Sequence, residues 1–335
     1  YTECPLELAA ALRLAYADQP VAPERPADAE PGSPPGAITV ASAPLDASEE
    51  TPRGFYLRNI NGTLWLRGYW SDDEHVWAPG DLFVTTRKKP DPDEVADAQG
   101  IAHRFALPFA ERAGRSIAHH ARETGRPVGL VVKREAITVV QGSRRLGFHP
   151  NLAARRVGDA GRTDHFIASS GIGPGDHVLD CTCGMGADAI VAAQTVGPTG
   201  RVVALEADPI LALIVARGLA RYGAAPALIP AMRRIEHLAA HADTFLAALP
   251  DKSFDIVALD PMFAWPQEGA HGLDLVRLFA SDWSPSPATI KHAARVARRA
   301  VVMADGAPGP RLPALAVPIV SRDRRRWWGR IDCTS

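Results

Sequence analysis

From Thr163 onward the sequence alternates helix-like and strand-like runs, and this constrains the possible folds more than any other feature. The apolar runs HVLDCT, RVVALEAD, FDIVALD and RAVVMAD are separated by helical segments. Such alternation predicts a parallel sheet with helices on both faces. Three of the four runs end in an acidic residue, and HVLDCT carries Asp180 just before its end. Ligands of open α/β sheets bind beyond the carboxyl ends of the strands. Acids from separate strands are therefore expected to converge on one crevice. No internal repeat interrupts the pattern.

The chain upstream has a different texture. Residues 4–17 read as a short helix with Leu and Ala at helical spacing. Residues 19–52 are rich in Pro, Ala, Glu and Ser, a linker composition too poor in large apolar groups to build a core. Residues 1–52 are thus expected to be helix and linker. In FYLRNINGTLWLRGYW the pair Asn61-Gly62 lies between two alternating runs, which predicts a hairpin and makes 53–80 an extension. Its aromatics Trp65, Tyr69 and Trp70, with Trp77, could stack on bases or cover a small sheet. From Asp81 a strand (DLFVTT), a helix (PDPDEVADAQGIAHRFA), two paired strands (GLVVKRE, AITVVQG) and a loop (LGFHPNLAARR) predict a small α+β domain over 81–150. The main domain is then 151–335.

Charge is neutral overall but uneven. The formal net charge is −1, yet residues 1–100 hold 8 Lys/Arg against 17 Asp/Glu, and residues 291–335 hold 10 against 3. The basic end could face phosphates or simply be solvated. No apolar run approaches the roughly 20 residues of a membrane span, and no secretory pattern is visible. Cys4, Cys181, Cys183 and Cys333 form neither a disulfide framework nor a zinc pattern. These features lead to the expectation of a cytoplasmic protein without a metal site.

The densest chemical signal is Val178-Leu179-Asp180-Cys181-Thr182-Cys183-Gly184-Met185-Gly186-Ala187-Asp188, a strand, a glycine turn and a helix start. Glycine there lets backbone approach a ligand closely, as where a pyrophosphate sits on a helix N-terminus. Two details disfavour a dinucleotide. Ala189 takes the place of the third glycine of G-x-G-x-x-G. Asp180 precedes the glycines, where its carboxylate would repel pyrophosphate but attract the cationic amino-acid end of S-adenosylmethionine (SAM). Glu206 follows Gly186 by 20 residues, at the end of the next strand, and suits two ribose hydroxyls. That need is common to NAD and SAM, so Asp180, Gly184 and Gly186 make the choice. A purely structural alternative has Asp180 and Glu206 capping strands.

A third element, Asp260-Pro261-Met262-Phe263, closes the run FDIVALD. It resembles the (Asp/Asn)-Pro-Pro-(Tyr/Phe) loop of methyltransferases that act on exocyclic amino groups. An aryl-type amine is a poor nucleophile, because its lone pair is delocalised into the ring. An acceptor for its N–H groups on a proline-stiffened turn can hold the lone pair toward a methyl group. Asp260 is the candidate for that role, and Phe263 could stack on the base.

On the stretches LDCTCGMGADAIVAA, ALEADPILALIVARGL and LDPMF, and more loosely RVARRAVVMAD, the chain from about Asp81 resembles the RsmJ-like family of SAM-dependent methyltransferases. FHPNLAARR and AMRRIEHL look closest to a Gram-positive-type branch of it. The resemblance implies a Rossmann-like class I methyltransferase fold, a mostly parallel sheet flanked by helices, with SAM as cofactor. It implies SAM contacts at Ala187, Asp188, Glu206, Ala207, His241, Ala242 and Asp260. It implies methylation of guanine N2 in small-subunit ribosomal RNA, so RNA as partner. The sequence departs from the family at Ala187 and Ala304, where the ribosomal enzymes carry Arg and Lys, and residues 1–80 have no counterpart.

The leading expectation is therefore an enzyme that methylates an exocyclic nucleobase nitrogen in RNA. A small-molecule or natural-product N-methyltransferase and a non-catalytic SAM- or RNA-binding module are the alternatives. His149 and His241 are not needed as bases, because the methylated amine sheds its proton to water. Cys181 and Cys183 read as core residues rather than nucleophiles. The run RDRRRWWGR could grip RNA through its arginines and Trp327 or Trp328, or form a final edge strand with snorkelling arginines.

Overall fold

The computed structural model describes residues 38–41, 54–60, 63–68, 82–158, 164–262, 279 and 283–333, the first three as backbone only. The readings of a helix over 4–17, and of Phe263 and Trp77, lie outside these residues. The chain divides into two compact units, Tyr1–Val76 and Trp77–Ser335.

In the first unit β1 (Ile38–Ala41), β2 (Gly54–Ile60) and β3 (Thr63–Gly68) form an antiparallel sheet in that order. Ile60 pairs with Thr63, so the chain reverses at Asn61-Gly62 as the two-residue loop predicts. Strand β1 pairs with β2 and falls inside the stretch read as linker. Its Ile-Thr-Val core is a short β-favouring island that the surrounding Pro and Ala obscure.

The second unit contains two sheets. The smaller has the order β4 (Leu82–Thr86), β5 (Val128–Val132), β6 (Ile137–Gln141), β7 (Arg144–Gly147). Only β4 and β5 run parallel, linked through α1 (Pro92–Arg104) and α2 (Ile117–Thr124). Helix α1 starts where expected. Pro92 occupies its first turn, and Asp91 and Glu94 close a reciprocal capping box. The expected loop LGFHPNLAARR instead contains β7 and a helix, α3 (Asn151–Gly158).

The larger sheet has seven strands: β8 (His177–Asp180), β9 (Arg201–Glu206), β10 (Ile235–Ala239), β11 (Phe254–Leu259), β12 (Ala297–Gly306), β13 (Ile319–Arg322) and β14 (Arg326–Asp332). Their order is β10-β9-β8-β11-β12-β14-β13, with β14 antiparallel to both neighbours and the other pairings parallel. This is the mostly parallel, Rossmann-like sheet expected. The chain leaves β8 toward β9 on one side, and β11 returns on the other. The crevice at the carboxyl ends of β8, β9 and β11 is thus the topological switch point. The run RDRRRWWGR does form a strand, but β14 is internal, and the edge belongs to β13.

Both faces of the sheet are buried, and successive residues go to opposite faces. Val178, Val202, Ile256 and Val302 enter one hydrophobic cluster. Their neighbours Leu179, Val203, Val257 and Val301 enter the other. Helices α5 (Ala187–Val196), α6 (Pro209–Arg221) and α7 (Ile229–Arg234) contribute Ile190, Val215 and Met232 to the first. Helices α8 (Ala242–Ala248) and α9 (Pro287–Val296) contribute Leu246 and Ile290 to the second. The small sheet joins the first cluster through Leu82, Leu130 and Val139, together with Phe166 of α4 (His165–Ser170). Among the described residues no single helix is long and apolar enough to cross a membrane.

Candidate functional site

The glycine turn after β8 bends the chain under the carboxyl edge of the sheet. Gly184 and Gly186 both have left-handed backbone, φ 50° and 81°, and Gly186 caps the start of α5. A side chain at either position would be strained. The turn is tied to its neighbours. The Gly184 N–H donates to Glu206 Oε2 at 3.0 Å, and the Asp208 N–H donates to Glu206 Oε1 at 2.9 Å. Glu206 is 9% exposed, and burial raises its pKa to about 6 against these two backbone donors.

Asp180 is 3% exposed at the end of β8. Its Oδ1 accepts from the Thr182 N–H at 3.0 Å, and its buried Oδ2 has no hydrogen-bond partner. Burial, followed by the nearby Asp188 carboxylate, pushes its pKa well above the ordinary range. An orphaned, acidic, buried acceptor is costly by itself. It fits the cationic amino-acid end of SAM, which would supply both the missing donor and the opposite charge.

Asp260 follows β11 directly. Its backbone N–H donates to the Thr182 hydroxyl at 2.6 Å, so the glycine turn and the Asp260-Pro261-Met262 loop are bonded to each other. Its Oδ2 lies 3.2 Å from Arg326 Nη1 of β14. Burial lifts its pKa to about 6, Arg326 opposes the shift, Asp188 adds to it and Arg156 opposes it. Arg156 of α3 bridges Asp164, at 2.7 and 2.9 Å, and Asp188. The positive charge absent at Ala187 and Ala304 thus enters this region from Arg156 and Arg326.

An open cleft of about 570 Å³ is lined by Thr182, Gly184, Glu206, His241, Asp260 and Trp283, with Cys181, Ala207, Leu211, Ala242, Pro261 and Met262 also on its wall. His241 caps α8, its Nδ1 accepting from the Asp243 N–H at 3.3 Å. The Trp283 ring meets His241 edge-on at 5.5 Å, and its Nε1–H donates to Asp243 Oδ2 at 2.8 Å. The fold therefore brings Gly184, Glu206, Ala207, His241, Ala242 and Asp260 to one cleft, with Asp180 buried beneath it. Gly186 and Ala187 begin α5, and Asp188 is held there by Arg156. Phe263 lies outside the described residues.

The remaining expectations resolve case by case. Asp305, the acid that ends RAVVMAD, is 1% exposed and accepts from the Gly306 and Arg311 N–H groups, a structural task. Trp328 is 3% exposed and packs on Phe166 at 5.5 Å, so it is core rather than a base platform. Cys181 and Cys183 are buried, and burial raises both thiols, as suits packing residues. No group of metal-binding side chains occurs among the described residues. Thr182, Arg156 and Arg326 lie in runs the sequence makes conspicuous, but their roles at this site were not assigned from it, and Trp283, beside two Ser-Pro pairs ahead of a helix start, was not singled out at all.

Comparison with known proteins agrees with this fold. The model of a family described as "Putative SAM-dependent methyltransferase" matches residues 130–304. The chain is 31% identical to the uncharacterised YpiP protein of Bacillus subtilis over 242 residues, 71% of this chain and 94% of that one. It is 29% identical to ribosomal RNA small subunit methyltransferase J of Pseudomonas aeruginosa over 220 residues, 62% of this chain and 80% of that one. The crystal structure of a SAM-dependent methyltransferase from Neisseria gonorrhoeae shares the fold, with a TM-score of 0.51 at 17% identity, covering 74% of this chain and 95% of that one. The sheet order, the cleft at its switch point and the family match together make this chain a member of the SAM-dependent methyltransferase family, an enzyme whose cofactor is S-adenosylmethionine.

Proposed function

We propose that this enzyme methylates an exocyclic amine of a nucleobase in RNA, with guanine N2 of small-subunit ribosomal RNA as its target and the cytoplasm as its place of work. The observation that carries the reading is Asp260. Its carboxylate stands at the end of β11, on a loop bonded to the glycine turn by the Thr182 hydroxyl. The relative named ribosomal RNA small subunit methyltransferase J supports the choice of substrate.

In this reading SAM, when bound, supplies an electrophilic methyl group. Asp180 and Glu206 would hold its cationic and ribose ends, Gly184, Gly186, Ala187 and Asp188 would supply the turn that receives it, and Ala207, His241 and Ala242 would line its nucleoside end. Asp260 accepts from the amine N–H groups and aims the nitrogen lone pair at the methyl carbon. Phe263 stacks on the base. The nitrogen lone pair would form the new N–C bond as the methyl–sulfur bond of SAM breaks and its electron pair stays on sulfur, and the amine proton would leave to water.

The test is mass spectrometry of 16S ribosomal RNA nucleosides from a strain lacking the gene. Loss of N2-methylguanosine, restored by the wild-type gene and not by Asp260→Ala, is the expected result. An unchanged nucleoside profile sinks the ribosomal RNA target. Full restoration by Asp260→Ala sinks the amine-orienting role. In single-turnover assays Asp260→Ala should slow transfer by roughly 10²–10³-fold, the usual effect of losing one preorganised group.

A further inference from the structure

The loop after β11 is gripped from outside the cofactor motif by two arginines late in the chain. Arg326 opens β14 and sets its Nη1 3.2 Å from Asp260 Oδ2, with its guanidinium over the Trp328 ring at 5.5 Å. Arg311, in the short helix α10 (Arg311–Ala314), donates from Nη1 to the Met262 carbonyl at 2.7 Å. Arg311 is itself anchored, since its backbone N–H donates to the buried Asp305 Oδ2 at 2.8 Å.

Asp260 needs such a grip because of what surrounds it. Asp188 of α5 faces it, and Asp180 of β8 and Glu206 of β9 complete a group of four acids around the crevice. Two cations oppose them. Arg156 of α3 is committed to Asp164 and Asp188. Arg326 is the one that pairs with the Asp260 carboxylate directly. Its position is fixed by the sheet, because Arg326 lies opposite Gly306 where β14 pairs with β12.

We propose that Arg326 is a positioning residue of the methyl-transfer reaction: it aims the Asp260 carboxylate and keeps it a hydrogen-bond acceptor among neighbouring acids, while Arg311 braces the same loop at Met262. The proposal rests on the reading of Asp260 as the group that orients the amine. An opposite charge at this distance lowers a carboxyl pKa by about 1–3 units. Arg326 thereby extends the pH range over which Asp260 can accept a hydrogen bond.

The test is a pH titration of the full-length protein carrying 13C-carboxyl aspartate, with the Asp260 resonance assigned by its loss in Asp260→Asn. Arg326→Gln should raise the Asp260 midpoint by about one unit or more, and Arg326→Lys should largely restore it. Should Arg326→Gln fail to fold, Arg326→Met keeps the stem over Trp328 without the charge. An Asp260 midpoint unchanged in whichever neutral variant folds overturns the proposal. The pH profile of methyl transfer to 16S ribosomal RNA should shift the same way in that variant, and an unshifted profile also overturns it. The titration needs no methyl acceptor. Failure of the RNA reading is recognised separately by an unchanged nucleoside profile in the strain lacking the gene, and failure of the role given to Asp260 by Asp260→Ala retaining full transfer.

Discussion

Asp180 shows how a single residue can favour binding at the expense of the empty fold. Its carboxyl is buried, its Oδ2 lacks a hydrogen bond, and burial and then Asp188 push its pKa well above the ordinary range. The sign of the resulting pH effect follows from proton linkage. The folded state holds the proton more tightly than the unfolded chain, whose Asp titrates near about 3.9. As pH rises past that value, Asp180 increasingly subtracts from stability, and the loss levels off only above the raised folded value. Asp180→Asn keeps an acceptor for the Thr182 N–H and removes the charge. The SAM-free variant should therefore melt about 1–2 degrees higher than wild type at pH 7.5, worth about 1 kcal/mol in a chain of this size. The advantage should close as pH falls toward about 4. SAM binding should weaken about tenfold or more, the cost of losing a charge-assisted bond. Melting curves across pH and calorimetry check both halves. A SAM-free variant less stable than wild type at pH 7.5 would show that the carboxylate is already well satisfied.

Helix α6 presents a conflict between local propensity and packing at the scale of an element. Gly218 lies inside it, and a Cβ there would stand 2.0 Å from Phe148 Cγ and 2.4 Å from Phe148 Cβ. Alanine would gain about 1 kcal/mol of helix propensity. It would also displace the base of the Phe148 side chain, which leads into α3 and Arg156, at a typical overpacking cost of about 1–3 kcal/mol. Packing wins, so Gly218→Ala should lower the melting temperature. Gly100, inside α1, has open space where a Cβ would go, so Gly100→Ala should raise stability by about 0.5–1 kcal/mol. Parallel thermal melts compare the two, and stabilisation by both would mean that Phe148 moves freely. The same contrast explains what the sequence could reveal. Strands β8, β9, β11 and β12 are apolar on both faces and read easily. Strand β10 lies at the sheet edge, with Glu236, Leu238 and Ala239 exposed, and carries no such run. Strand β7 buries only Leu146 and α3 only Ala153, so both hid in a segment that read as loop. At the site, Asp180, Glu206 and Asp260 were legible because each lies at or just before the end of an apolar run. Thr182 and Arg326 were not, because the hydroxyl hydrogen bond and the ion pair that link them to Asp260 join positions 78 and 66 residues apart in the chain.

At the scale of the whole molecule the unit Trp77–Ser335 has the features of a self-sufficient enzyme. It contains both larger sheets, the cleft and every described site residue. Its small sheet does not form a core of its own: Leu82, Leu130 and Val139 belong to the same buried cluster as Ile190, Val215 and Trp328. Side chains that share one close-packed cluster lose their contacts together. A chain beginning at Trp77 should therefore fold, melt in one transition within a few degrees of the full-length protein, and bind SAM with the full-length affinity. Calorimetric melts and SAM titration of the shortened chain decide the matter. Two separated transitions would mean that the small sheet and the seven-stranded sheet unfold independently despite their common cluster. A collapsed transition, or lost SAM binding, would mean that the three-stranded sheet of residues 38–68 supports the catalytic unit. It would then have to be treated as part of the enzyme rather than as an extension.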